Sequence, residues 1–246
     1  MTNKPSDSDP DCRACDESRD LRSYGRRRGR KLSDRQAALL RDVLPGVAVD
    51  LSAPLGSAPG GRLDEGESPG ARQTFLEIGF GGGEHLVWQA TRNPNVTLIG
   101  CELFEDGVVK VLARIEEHKV SNIRIHMGDA RDVLRALPDA SIARAFILFP
   151  DPWPKRKHQK RRLVNAQTLA HLARVMRPRA ELRIGTDIGD YARSLLEAFQ
   201  SEPRFRWRAD CPSDWRIRPD DWPETRYEAK AAREERVRYY FRWERV

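Results

Sequence analysis

The chain has 246 residues, enough for one α/β domain with a full core, and a formal net charge of +7. That charge favours an anionic partner, with nucleic acid and membrane surface both open, and does not bear on fold. No run of about 18 apolar residues occurs, and MTNKPSDSDPD lacks the basic start and apolar stretch of a secretory signal, so a cytoplasmic chain without a membrane span is expected.

Residues 1–20 hold six acidic side chains and almost no apolar ones, a composition that cannot offset chain entropy, and are expected to be disordered. Cys12 and Cys15 lie there at CxxC spacing. Without a second ligand pair they are read as adventitious, and no metal site is expected. With Cys101 and Cys211 they are too few and too scattered for a disulfide framework. Over 21–31 the sign reverses: six basic residues from Arg22 to Lys31, interrupted by Gly25 and Gly29, form either a solvated arm or one that follows a nucleic-acid backbone. Leu32 to Leu44 reads as an amphipathic helix capped by Ser33, with Ala37, Leu40 and Leu44 on one face and Pro45 ending it. Residues 52–72, rich in Gly, Pro, Ser and charge, read as a mobile loop without chemistry.

From Thr74 a regular alternation begins. TFLEIG is a strand, GGGEHLVWQATR a glycine turn and helix, VTLIGCEL a second strand, and Asp106 to Lys119 a helix with Val109, Leu112 and Ile115 inward. IRIHMGD and ARAFILF are the third and fourth strands, Leu163 to Val175 a helix, and ELRIGTD a fifth strand before a helix through Phe199. Such alternation implies right-handed crossovers and a doubly wound, mostly parallel α/β sheet over 21–246. FRWRA and RVRYYFRW add two strands, separated by a Pro- and Trp-rich connection, that close the sheet edge in antiparallel fashion.

The chemistry gathers at strand ends. Glu77 precedes Gly79, Gly81 and two further glycines, a setting in which missing side chains let a cofactor reach backbone N–H groups. Glu102 ends the second strand, where two carboxylate oxygens match the two hydroxyls of a ribose. The glycines run GxGxG rather than GxGxxG, which argues against a nicotinamide dinucleotide. Asp129, followed by Ala130, ends the third strand and suits an adenine amino group or a helix N-cap. Asp151 ends the fourth strand among Pro150, Pro152 and Pro154, whose fixed φ pre-orders the turn. Trp153 suits either stacking on a base or packing as a wedge. Six of the eight residues from Lys155 to Arg162 are Lys or Arg, a cluster suited to phosphates beside a presumed site. Asp187 and the segment Thr225-Arg226-Tyr227-Glu228 offer groups for a purine edge.

EIGFGGG, CEL, GDA, FPDPWPKRKHQKRR, GTDI and TRYE occur in an order that resembles the tRNA (guanine-N7-)-methyltransferase family, from about Leu21 to the C-terminus. The resemblance implies a seven-stranded, Rossmann-like class I methyltransferase fold with its last strand antiparallel, S-adenosylmethionine as cofactor, and a guanosine in the tRNA variable loop as target. It implies that Glu77, Glu102, Asp129 and Asp151 line the cofactor site, with Asp151 also at the methyl-transfer centre. It assigns Lys155, Asp187, Thr225, Arg226, Tyr227 and Glu228 to substrate, and Lys157, His158, Gln159, Lys160, Arg161 and Arg162 to RNA. No segment calls for a protein partner, and a monomer or homodimer is expected. Two other readings stand beside it: an exocyclic-amine methyltransferase, because Asp151-Pro152-Trp153 looks like a D-P-P-aromatic motif, and a non-catalytic tRNA-binding module on the same fold.

Overall fold

The computed structural model describes residues 27–52 and 72–246. The acidic tail with its CxxC pair, the start of the basic arm and nearly all of loop 52–72 lie outside the described residues.

Seven strands form one sheet in the order β3-β2-β1-β4-β5-β7-β6. β1 (Thr74–Ile78) is buried along its whole length, as a central strand covered on both faces must be. It pairs in parallel with β2 (Thr97–Cys101) and with β4 (Ile142–Leu148), while β3 (Ile123–His126) pairs in parallel with β2. β5 (Met176–Thr186) pairs in parallel with β4, and β7 (Tyr239–Arg245) is the antiparallel strand, placed between β5 and β6 (Phe205–Trp207). The expected doubly wound sheet with an antiparallel last strand is present, and the direction of strand addition reverses between β1 and β4. A reversal of this kind opens a crevice at the carboxyl ends of the strands.

The helices lie on both faces. α3 (Glu84–Arg92) and α4 (Glu105–His118) bury Leu86, Val108, Val109, Leu112 and Ile115 in one apolar layer. On the opposite face α5 (Ala130–Ala136), α6 (Ala166–Val175) and α7 (Gly189–Gln200) pack Val133, Leu172, Tyr191 and Leu195 into a second layer. α6 starts at Ala166 rather than Leu163 because Asn165 caps it, accepting from the Thr168 N–H at 3.0 Å.

Near the N-terminus the expected Ser33 cap is present at α1 (Asp34–Ala38), but Pro45 does not end the helix. A π turn at Leu39–Val43 intervenes, and Pro45 sits in the first turn of α2 (Leu44–Val47), where its missing N–H is tolerated. Of the expected face, Leu40 and Leu44 pack against the core, joined there by the buried Leu39, while Ala37 is exposed. The described part of the arm runs across the start of α4, with the Arg27 carbonyl accepting from the Glu105 N–H at 3.0 Å.

The Pro- and Trp-rich connection, which includes the short α8 (Ser213–Arg216), is pinned by charge. Arg183 on β5 is only 2% exposed and donates to both Asp221 oxygens, at 2.8 and 2.7 Å, and to Glu181 at 2.9 Å. Next to Asp221, Trp222 is fully buried between His85 and Tyr240, and its ring lies 3.0 Å from where a Cβ on Gly185 would be. Removing the Asp221 carboxylate leaves Arg183 with a weaker partner set in a buried place. Asp221→Ala is expected to lower folding stability by about 2 kcal/mol, measured by urea unfolding, with a larger loss than Asp220→Ala next to it.

Candidate active site

A cleft of about 430 Å³ opens at the carboxyl ends of β1, β2, β3 and β4. Each strand delivers its next residues to the rim: Gly79 after β1, Glu102 to Phe104 after β2, Gly128 to Arg131 after β3, and Phe149 to Asp151 after β4. The turn after β1 takes left-handed φ at Gly79 (+77°) and Gly81 (+58°), which side chains resist. A Cβ on Gly79 would point into open space, so the missing side chain leaves room beside the backbone. One on Gly81 would lie 2.9 Å from the Tyr227 ring, so this glycine allows the last connection to settle on the turn.

Glu102 organises this end of the cleft. One carboxylate oxygen accepts from the Gly81 N–H at 2.9 Å and the other from the Leu103 and Phe104 N–H groups, each at 2.9 Å. Burial nevertheless pushes its pKa up, and the Asp151 charge adds to that, against the opposing effect of those three donors. Asp129 caps α5 through the Arg131 N–H at 3.0 Å, and it also lines the cleft. Burial pushes its carboxyl up, but the Arg131 guanidinium, 2.5 Å away, outweighs this and holds it below the usual range. Arg131 was not singled out from sequence, where an Arg two residues past a helix cap carries no signal.

The turn after β4 is strained. Phe149 (φ 50°) and Trp153 (φ 42°) both occupy the left-handed region, which bulky residues avoid, and both precede proline. Such strain persists only where the surroundings over-determine it. The Phe149 N–H donates to the Gly185 carbonyl at 2.8 Å, and Arg162 holds the other side. Its Nε donates to the Pro152 carbonyl at 3.0 Å and its Nη1 to Ser194 Oγ at 2.8 Å; Nη2 pairs with Asp190, and the guanidinium lies 5.0 Å over the Tyr191 ring. Asp151 itself is exposed on the cleft wall.

One residue expected to meet RNA has protein partners as well. Arg162, read from sequence as an RNA contact, is 5% exposed and spends its donors on the protein. Its guanidinium has three protein acceptors and a ring beneath it, while the residue borders the cleft. The neighbouring cluster divides along the turn Arg156–Arg161. Lys160 and Arg161 line the cleft together with Arg162, and Arg161 is stacked 5.0 Å over Trp153. Lys155 and Lys157 are exposed outside it, His158 packs edge-on to Trp153, and Gln159 donates to Asp190 at 3.1 Å. Trp153 lines the cleft while packed between His158 and Arg161, so both of its sequence readings keep a foothold.

Of the remaining candidates, Gly79, Gly81, Ala130, Arg226 and Tyr227 join the cleft wall. Glu77 does not: its carboxylate turns under the glycine turn, 2.8 Å from His85 Nδ1, and both side chains are buried. Asp187 pairs with Arg236 at 2.7 Å, and Thr225 caps α9 (Arg226–Arg233) by accepting from the Glu228 N–H at 3.2 Å. Glu228 is buried, accepting from Tyr240 Oη at 2.5 Å and pairing with Arg218 at 3.2 Å. These residues support the Arg226–Tyr227 corner rather than line the cleft. Among the described residues, no group of His, Cys, Asp and Glu could hold a metal ion.

Residues 71–240 match the family described as "Putative methyltransferase". The tRNA (guanine-N(7)-)-methyltransferase of Rhodospirillum rubrum is 49% identical over 214 residues, covering 86% of this chain and 83% of that one. Its counterpart in Jannaschia sp. is 46% identical over 226 residues, covering 90% and 93%. Among solved structures, the 16S rRNA methyltransferase KamB superposes with a TM-score of 0.51 at 16% identity, over 71% of this chain and 88% of KamB, a likeness that speaks for the fold alone. The strand order, the cleft at its switch point and near-full-length identity approaching one half agree: the chain belongs to the tRNA (guanine-N(7)-)-methyltransferase family.

Proposed function

We propose that the chain transfers a methyl group from S-adenosylmethionine to N7 of a guanosine in the variable loop of tRNA. The observation that carries this reading is the acidic, strained turn at Asp151, set between a nucleoside-sized cleft and a basic segment, in a chain of this family. The cleft suits the cofactor. Its volume falls in the range of small-molecule sites, and Ile78, Leu103 and Ala130 offer apolar surface to a flat ring. A carboxylate has about four acceptor positions, and Glu102 uses three on backbone N–H groups, which leaves capacity for a ribose hydroxyl. When bound, S-adenosylmethionine supplies an electrophilic methyl on a sulfonium.

Each residue then has a defined task. Gly79 and Gly81 let the backbone approach, Glu102 takes the ribose, and Asp129 with Ala130 faces the adenine. Asp151, Lys155, Arg226 and Tyr227 surround the guanosine, while Asp187, Thr225 and Glu228 hold that corner in place. Lys157, Lys160 and Arg161 meet the tRNA backbone. Guanine N7 carries an in-plane lone pair, so alignment matters more than proton removal. Orienting two reactants can contribute roughly 7–11 kcal/mol, against ~3 kcal/mol for a preorganised charge. Asp151 orients the base and favours the positive charge that develops on it, without accepting a proton.

Incubation with unmodified tRNA and methyl-labelled S-adenosylmethionine, followed by N7-specific strand cleavage, tests the reading. Cleavage at a variable-loop guanine is expected. Label on an exocyclic amine, or none transferred, would select one of the rival readings. Asp151→Asn should lower kcat by about 100-fold while S-adenosylhomocysteine affinity is retained. The rate should show no limb near neutral pH that this substitution removes.

Glu102 generates a pH prediction. Because its folded pKa is raised, the folded protein holds the proton more tightly than the unfolded chain, so any stability it contributes is present at low pH and lost as pH rises through the folded pKa. Ligand binding has the opposite sign, since ribose hydroxyls need the ionised carboxylate. S-adenosylhomocysteine affinity should therefore weaken on acidification, starting above the ordinary glutamate range. Calorimetric titration should find this limb in the wild type and not in Glu102→Gln.

A further inference from the structure

A second groove, of about 260 Å³, lies away from the cleft between α7 and the β6–β7 edge. Its walls are Gly189, Ala192, Arg193 and Leu196 from α7, with Trp207, Trp215, Tyr239 and Phe241 facing them. The rings of Trp215 and Tyr239 are within 10° of parallel and those of Tyr239 and Phe241 within 4°, so two neighbouring rings on one face of β7 and one from α8 share one orientation. Trp207 remains 37% exposed at the mouth, and Ile217, just past α8, is 66% exposed. Burial of this many rings is ordinary, but their alignment beneath an open mouth is that of a platform for another flat group.

Charge distinguishes between occupants. Among the described residues lining the groove the one ionised side chain is Arg193, and the Arg216 guanidinium stacks 4.5 Å over Trp215 at the edge. Cations at the rim of an aromatic slot complement a base with its phosphate, since every base has a π face and a nearby anion. Position agrees. The first turn of α7 takes Gln159 and Arg162, from the basic segment, on Asp190, and presents Gly189, Ala192 and Arg193 to the groove. A strand whose phosphates follow Lys157 and Lys160 therefore needs only to cross that helical turn to reach the rings. The volume, below that of a drug-sized site, suits a single base.

We infer that this groove stacks one unpaired base of the tRNA, a second contact remote from methyl transfer. The inference rests on tRNA being the substrate. It is tested with the full chain and an unmodified tRNA transcript, comparing wild type with Trp215→Leu, Trp215→Phe and Arg193→Gln. Loss of one stacked base should raise the tRNA Kd by about tenfold in Trp215→Leu, while Trp215→Phe retains most of the affinity. S-adenosylhomocysteine binding should be unchanged in all three, which also reports that they fold. If Trp215→Leu fails to fold, Arg193→Gln decides, with weaker tRNA binding and a salt slope reduced by about one. Variants that bind tRNA as tightly as a wild type that methylates it would overturn the groove alone. So would a change in oligomeric mass with tRNA affinity intact, which would make the rings a protein interface. A wild type that binds no tRNA would overturn both this inference and the proposed reaction.

Discussion

The site depends on one side chain that does no chemistry. Arg162 ties the Pro152 carbonyl, Asp190 and Ser194 together and rests on Tyr191, so the turn bearing Asp151 is fixed to α7. Without such a tie, two left-handed bulky residues before proline would relax, each relieving of the order of 1–3 kcal/mol. The clamp has a legible electrostatic trace: the hydrogen bond from Arg162 holds Asp190 below the usual carboxylate range, and burial pushes the Tyr191 hydroxyl up to about 12. Prolines limit where the turn can go, and the guanidinium selects where it stays.

A second line of contact, through buried rings with a hydrogen bond at each end, joins the two halves of the cleft. Glu77 holds His85 beneath the glycine turn, His85 meets the edge of Trp222, Trp222 meets Tyr240, and Tyr240 donates to Glu228 under the Arg226–Tyr227 corner. The cofactor side and the base side are thus built on the same buried rings. The Arg183–Asp221 pair secures Trp222 within them, which explains why a long connection with little regular structure holds a defined course.

Much of the fold was legible because its signals are local. Apolar strands alternating with helices, ending in Gly79, Glu102, Asp129 and Asp151, give a doubly wound sheet with a cleft at the switch point, and the comparison with known proteins supports the family that those motifs resembled. What was not legible depends on contacts distant in sequence. Arg162 looks like one more cation in a basic run, and only the fold brings Asp190 and Ser194 to it. Glu77 sits in a cofactor motif, yet the strand alternation turns its carboxylate under the turn toward His85. The π turn at Leu39–Val43 has no sequence signature, and the helix continues past it to Val47.

The account separates a clamp from a phosphate contact, and Arg162→Lys distinguishes them most directly. Lysine keeps the positive charge but cannot reproduce the fork of donors or the stacking on Tyr191. The account predicts that kcat falls at least tenfold while tRNA Kd and its salt dependence stay at wild-type values. A wild-type kcat in Arg162→Lys, together with weakened and less salt-sensitive tRNA binding in Arg162→Gln, would contradict it, and would return Arg162 to the RNA surface.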